Sequence, residues 1–157
     1  MANNELPYFT SGKVVKGFGR GSKELGIPTA NFDEQVVSLL PPGFQTGVYY
    51  GWAKVDDGPV YKMVMSIGWN PFYKNIKKSM ETHIMHTFPE DFYDSTLKVC
   101  ILGYRRPELN FNSLGKLTLN LKEMIAAIKD DIRESEHMLD SEENAVYKDH
   151  TFFTEHS

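Results

Sequence analysis

Apolar residues recur at three- and four-residue spacing in one part of this chain, from Ser113 onward. There Leu114, Leu117, Leu121, Met124, Ile125, Ile128 and Ile132 would line one side of a helix. Ser113 can cap its N-terminus, while Gly115 weakens its first turn. Upstream, the pattern is that of strands. Thr46 to Val55 is rich in aromatic and β-branched residues, and Val60 to Gly68 alternates, placing Tyr61, Met63, Met65 and Ile67 on one face. Asp57-Gly58-Pro59 lies between them, so the spacing predicts a hairpin. Thr96 to Tyr104 alternates only in part, as expected of a strand covered on both faces, and Val14 and Val15 mark another near the start. Several strands followed by one helix exclude a doubly wound sheet, which needs helices between its strands. The expectation is an antiparallel barrel or sandwich with a helix against it.

Composition narrows the function classes. With 157 residues, 41% hydrophobic and 24% charged, the chain is long enough for one domain with a real core. Its single cysteine, Cys100, excludes an intramolecular disulfide framework and any Cys-based zinc cluster. The start, MANNELPYF, has no apolar core of a secretory signal, and the charge-free stretch Val36 to Ala53 is broken by Pro41, Pro42, Gly43, Gly47 and Gly51. A cytoplasmic protein without a membrane span is expected. Residues 1–80 hold nine basic and six acidic side chains, and residues 81–157 hold eight and fifteen. The first half could receive a small anion but lacks the dense basic stripe of a nucleic-acid binder. The acidic excess, mostly Asp130 to Glu143, reads as a solvated helix face followed by a polar tail.

Three segments carry candidate chemistry. In Lys16 to Asn31, Gly17, Gly19 and Gly21 could bring backbone N–H groups close to an anion, with Lys16, Arg20 and Lys23 adding charge. The segment fits neither the Walker pattern nor the dinucleotide and kinase glycine fingerprints, since Ser22 precedes Lys23 and fills the sixth position. Pro28-Thr29-Ala30-Asn31 offers neutral oxygen ligands suited to a Mg²⁺ shared with phosphates, or simply makes a turn. Met80 to Tyr93 sets Glu81, His83 and His86 close together. Two histidines without a third ligand make a poor metal site, and Glu81 is either a general base or a surface carboxylate.

Together these segments resemble riboflavin kinase. The resemblance rests on Gly17-Phe18-Gly19-Arg20-Gly21-Ser22-Lys23, Leu25-Gly26-Ile27-Pro28-Thr29-Ala30-Asn31, Gly47-Val48-Tyr49-Tyr50-Gly51, Ser66-Ile67-Gly68-Trp69-Asn70-Pro71, Glu81-Thr82-His83, Asp91-Phe92-Tyr93, and Gly103-Tyr104 with Arg106-Pro107-Glu108. These run in family order, and the similarity is greatest to the single-domain eukaryotic type. It implies one domain over residues 1–157, with a core over about residues 8–135 and a polar C-terminal tail. The implied fold is a six-stranded antiparallel Greek-key β-barrel with a C-terminal helix packed on it. The implied reaction moves the ATP γ-phosphoryl group to the ribityl 5′-hydroxyl of riboflavin, giving FMN and ADP. By the same resemblance Glu81 is the catalytic base, and Thr29 and Asn31 hold the metal, Mg²⁺ or alternatively Zn²⁺. Gly17, Gly19, Gly21, Lys23, Ile84, His86 and Tyr93 meet the nucleotide, and Arg106 and Phe111 meet the flavin. The chain departs from the family at Leu109, where Lys is frequent, and in the longer stretch Gly115 to Leu121.

A monomer acting on riboflavin and ATP, without nucleic acid or membrane, is expected. Two other readings use the same features. The 20 aromatic residues could serve a single-strand nucleic-acid barrel, but the net charge of −4 opposes one. A passive flavin-binding barrel would need neither metal ligands at Thr29 and Asn31 nor a base at Glu81.

Overall fold

The structure, a computed structural model, describes residues 6–15, 29–69, 78–107 and 121–154. Six strands, β1 (Tyr8–Val15), β2 (Ala30–Phe32), β3 (Gly47–Val55), β4 (Val60–Trp69), β5 (Lys78–Ile84) and β6 (Thr96–Arg106), close into a barrel in the order β1-β2-β5-β4-β3-β6. Every pairing is antiparallel. β3, β4 and β5 are successive neighbours and β6 returns beside β3, which is a Greek key. No helix among the described residues is long and apolar enough to cross a membrane.

The alternation read from β4 holds, because its inward residues Met63, Met65 and Ile67 are buried in the barrel. Its hairpin with β3 turns through Asp56, whose φ of 48° is left-handed and whose carboxylate accepts the Thr96 N–H at 2.9 Å. The partial alternation of β6 reflects two covered faces. Leu97, Val99 and Ile101 enter the barrel core, while Cys100 enters a second core outside it. Burial pushes the Cys100 thiol up to about 12, so it is inert packing rather than a nucleophile.

Three elements between β1 and β6 had no sequence signal of their own. β2 is three residues long, and α1 (Glu34–Ser38) spans a single turn, capped by Asp33 accepting the Gln35 N–H at 2.9 Å. β5 falls in the segment that carries Glu81 and His83, where no strand is expected from the pattern; its inward residues are Met80, Thr82 and Ile84.

The predicted helix is present as α2 (Leu121–Leu139), and its expected start, Ser113 to Asn120, lies outside the described residues. It ends seven residues beyond Ile132 and packs on β3 and β4. Ile128 and Ile132 are only half-buried; the buried stripe is Asp131, Ser135 and Leu139. Two corrections follow from that rotation. The acidic run is not wholly a solvated face, since Asp131 is buried. The tail is not merely polar either, because Leu139 and Phe153 pack with Trp52 and Cys100 over the outside of β3 and β6.

Past α2 come a short helix α3 (Glu142–Ala145) and two 3₁₀ turns, Val146–Asp149 and Thr151–Phe153. Barrel side chains grip their carbonyls. The Trp52 indole N–H donates to Asn144 at 3.0 Å, Lys54 Nζ to Phe153 at 2.6 Å, and Lys98 Nζ to Phe152 at 3.3 Å. Sparse apolar residues in a charged stretch give no helical period, so only the surface they cover reveals their role.

Candidate active site

The side chains of a strand alternate, so one row of cross-strand partners faces outward around the barrel. Starting from β1, it reads Val15, Asn31, Glu81, Ser66, Val48 and Arg106, one residue from each strand. All six are half-buried, while their neighbours Val14, Ala30, Thr82 and Ile67 point into the core. Register therefore brings Asn31 beside Glu81, with Cβ atoms about 4.5–5.5 Å apart as in any direct cross-strand pair. Thr29, just before β2, adds its hydroxyl, which donates to Glu81 Oε1 at 3.2 Å. Burial raises the Glu81 carboxyl above its usual 4.5, and the Thr29 hydrogen bond opposes that rise.

A cavity of about 760 Å³ begins at Thr29 and runs along the β5–β6 connection, a size suited to a small ligand. Ile84, His86 and Tyr93 all line it. The His86 ring stacks on Tyr61 with centroids 4.1 Å apart, and Phe88 meets His86 edge-on at 4.8 Å. Glu90, Asp91 and Glu136 border the cavity, and no Lys or Arg does so among the described residues. Such a wall suits an uncharged aromatic group better than phosphate.

Thus Thr29, Asn31 and Glu81 come together, and Ile84, His86 and Tyr93 share the adjoining cavity. Arg106 stands three strand spacings along the outward row from Glu81, on the order of 14 Å over the barrel surface. Gly17, Gly19, Gly21, Lys23 and Phe111 lie outside the described residues.

The flavokinase family profile, described as riboflavin kinase, matches residues 4–139. The riboflavin kinases of Mus musculus and Homo sapiens are each 61% identical to this chain over 148 residues, covering 94% of it and 91% of theirs. The chain belongs to the riboflavin kinase family.

Among solved structures, a riboflavin kinase from Trypanosoma brucei superposes with a TM-score of 0.71 at 28% identity, covering 95% of this chain and 90% of that one. Its likeness extends over the closed barrel and the C-terminal helix of this riboflavin kinase family member.

The donors around Glu81 can be tested against a divalent cation. Thr29 supplies a hydroxyl and Asn31 an amide carbonyl, next to one carboxylate, and among the described residues no group of three or more His, Cys, Asp or Glu could hold an ion. A few hard oxygen donors fit Mg²⁺ that takes its other ligands from phosphate and water.

Two features of the site had no sequence signal. Tyr61 shares the face of Met63, Met65 and Ile67 in the alternation of β4, and it also backs His86, which lines the cavity. Asp131 lay inside an acidic run, and only the docking of α2 reveals that it faces Arg105 and Arg106.

Proposed function

We propose that this chain transfers the γ-phosphoryl group of ATP to the ribityl 5′-hydroxyl of riboflavin, giving FMN and ADP. The observation that carries this reading is Glu81, a carboxylate held outward between Asn31 and Ser66 and raised by burial, with Thr29 as its hydrogen-bond partner. A half-desolvated carboxylate can accept a hydrogen bond from the attacking hydroxyl and then its proton as the P–O bond forms. Phosphoryl transfer asks little covalent work of the protein, so alignment and charge neutralisation supply the rest.

Thr29 and Asn31 would hold Mg²⁺ through their side-chain oxygens, the hard neutral donors that suit it. Bound there, Mg²⁺ would neutralise charge on the transferring phosphoryl group. Ile84, His86 and Tyr93 suit the adenine end of the nucleotide, because their cavity is aromatic and bordered by carboxylates. The polyphosphate then falls toward Thr29, and its remaining contacts are assigned to Gly17, Gly19, Gly21 and Lys23. Arg106 and Phe111 are assigned to the flavin. The chain's own strands bring the base and metal ligands together, which supports a monomer, and a buried reduced thiol suits the cytoplasm.

Incubation with riboflavin, ATP and Mg²⁺, followed by chromatography, should yield FMN and ADP in equal amounts. Flavin bound unchanged, with no ADP formed, would replace this reading with passive flavin binding.

A further inference from the structure

We infer that Asp131 is a positioning residue for the flavin end of the site, fixing the Arg106 guanidinium in the orientation that meets riboflavin. The inference rests on the reading that Arg106 contacts the flavin.

Consecutive residues in a regular strand point to opposite faces, so Arg105 and Arg106 should not reach one partner. A bulge changes this. Tyr49 pairs with Tyr104, but the next residue back, Val48, pairs with Arg106, leaving Arg105 as the extra residue. Both arginines then turn to the outside, where α2 brings Asp131 against them. Gly47 permits the close approach. Its φ is 149°, and a Cβ there would sit 2.5 Å from the Arg106 carbonyl oxygen and 2.6 Å from the Tyr104 ring.

Asp131 is 3% exposed and takes hydrogen bonds on both oxygens. Arg106 donates from Nε to Oδ1 at 2.9 Å and from Nη2 to Oδ2 at 2.6 Å, a two-pronged grip that sets the plane of its guanidinium. Arg105 Nε shares Oδ1 at 2.8 Å, and its Nη2 turns away to Asp130 at 2.8 Å. Arg106 Nη1 also donates to the Pro107 carbonyl at 2.9 Å. An arginine carries five N–H donors, so about two on Nη1 and Nη2 remain for an acceptor oxygen of the flavin. The orientation of those donors is set by helix docking, since α2 is anchored by buried Leu139 and by Lys62 reaching the Glu136 carbonyl at 3.1 Å.

Steady-state kinetics on the full chain, with riboflavin and MgATP varied separately, test the inference. Arg106→Ala should raise the KM for riboflavin roughly tenfold and leave that for ATP within about twofold. An unchanged riboflavin KM in that variant would refute the assignment of Arg106 to the flavin, and the inference with it. Asp131→Asn should reproduce the same selective rise, and the double variant should be no worse than Arg106→Ala alone, because the two act as one unit. A lower Tm with an unchanged riboflavin KM in Asp131→Asn, or losses that add in the double variant, would make Asp131 purely structural. Asp131→Glu guards against a variant that fails to fold. It keeps the charge but displaces the fork by a methylene, and should still raise the riboflavin KM several-fold, on the order of 3–10. A wild-type KM in folded Asp131→Glu would overturn the inference.

Discussion

Glu81 on the outside of β5 and Asp131 on the inside of α2 are both carboxylates taken partly or wholly out of water, yet their surroundings are opposite. Asp131 meets two guanidiniums, with its oxygens committed at 2.6–2.9 Å, and joins a helix to the end of a strand. Glu81 meets a hydroxyl and an amide-bearing neighbour, and burial lifts its carboxyl above the ordinary value. A buried charge with full partners holds structure in place, and its loss leaves uncompensated charge behind. A desolvated carboxylate with a weak neutral partner keeps the capacity to take a proton. The β2–β5 face is therefore where chemistry is expected, and the seam beneath α2 and the C-terminal turns is where stability and orientation are set.

Phe153→Ala should separate the two regions most sharply. Phe153 is 1% exposed and packs with Trp52, Cys100 and Leu139, so truncation should cost about 3–5 kcal/mol in denaturant unfolding. The kcat of the molecules that remain folded should stay near wild type. A large loss of kcat with normal stability would put part of the chemistry in the seam and erase the contrast.

Glu81→Gln should do the reverse. It keeps the size and a hydrogen-bond acceptor but is no longer a useful base, so kcat should fall at least roughly 10²-fold while both substrates still bind. His83→Ala and His86→Ala are the comparison variants; retention of activity by Glu81→Gln alongside its loss in one of these would move the base to that histidine.

The smallest effect sharpens the electrostatic half of the comparison. Because the folded carboxyl of Glu81 is raised above 4.5, the native state binds its proton more tightly than the unfolded chain does. Its contribution to stability is thus fully present below about 4.5 and is lost as pH rises through the raised value. Glu81→Gln should then melt slightly above wild type at pH 7–8, with the gap closing as pH approaches 4.5. A variant equally stable at every pH would mean that Glu81 is not desolvated.

Much of the barrel was legible because its longer strands announce themselves locally. Met63, Met65 and Ile67 alternate with residues facing out, and the mixed pattern of β6 correctly signalled cover on both sides. β2 was too short for a period, and Thr82 blurred that of β5 by placing a hydroxyl on the inward face. The candidate site was legible only through ordered motifs, since Thr29, Asn31 and Glu81 are separated by up to 52 residues.

The sequence by itself determined the class of the fold and the identity of the family, because strand alternation is local and an ordered set of motifs is specific. What the tertiary structure alone decided is which polar residues are neighbours. Strand register set Asn31 against Glu81, and a one-residue slip would have turned one of them into the core. A bulge turned Arg105 and Arg106 to the same side, and the rotation of α2 chose Asp131 rather than Ile132 to meet them. The physical reason is that a carboxylate's role depends on what cancels its charge and excludes its water, and for both carboxylates those partners arrive from distant strands and a docked helix.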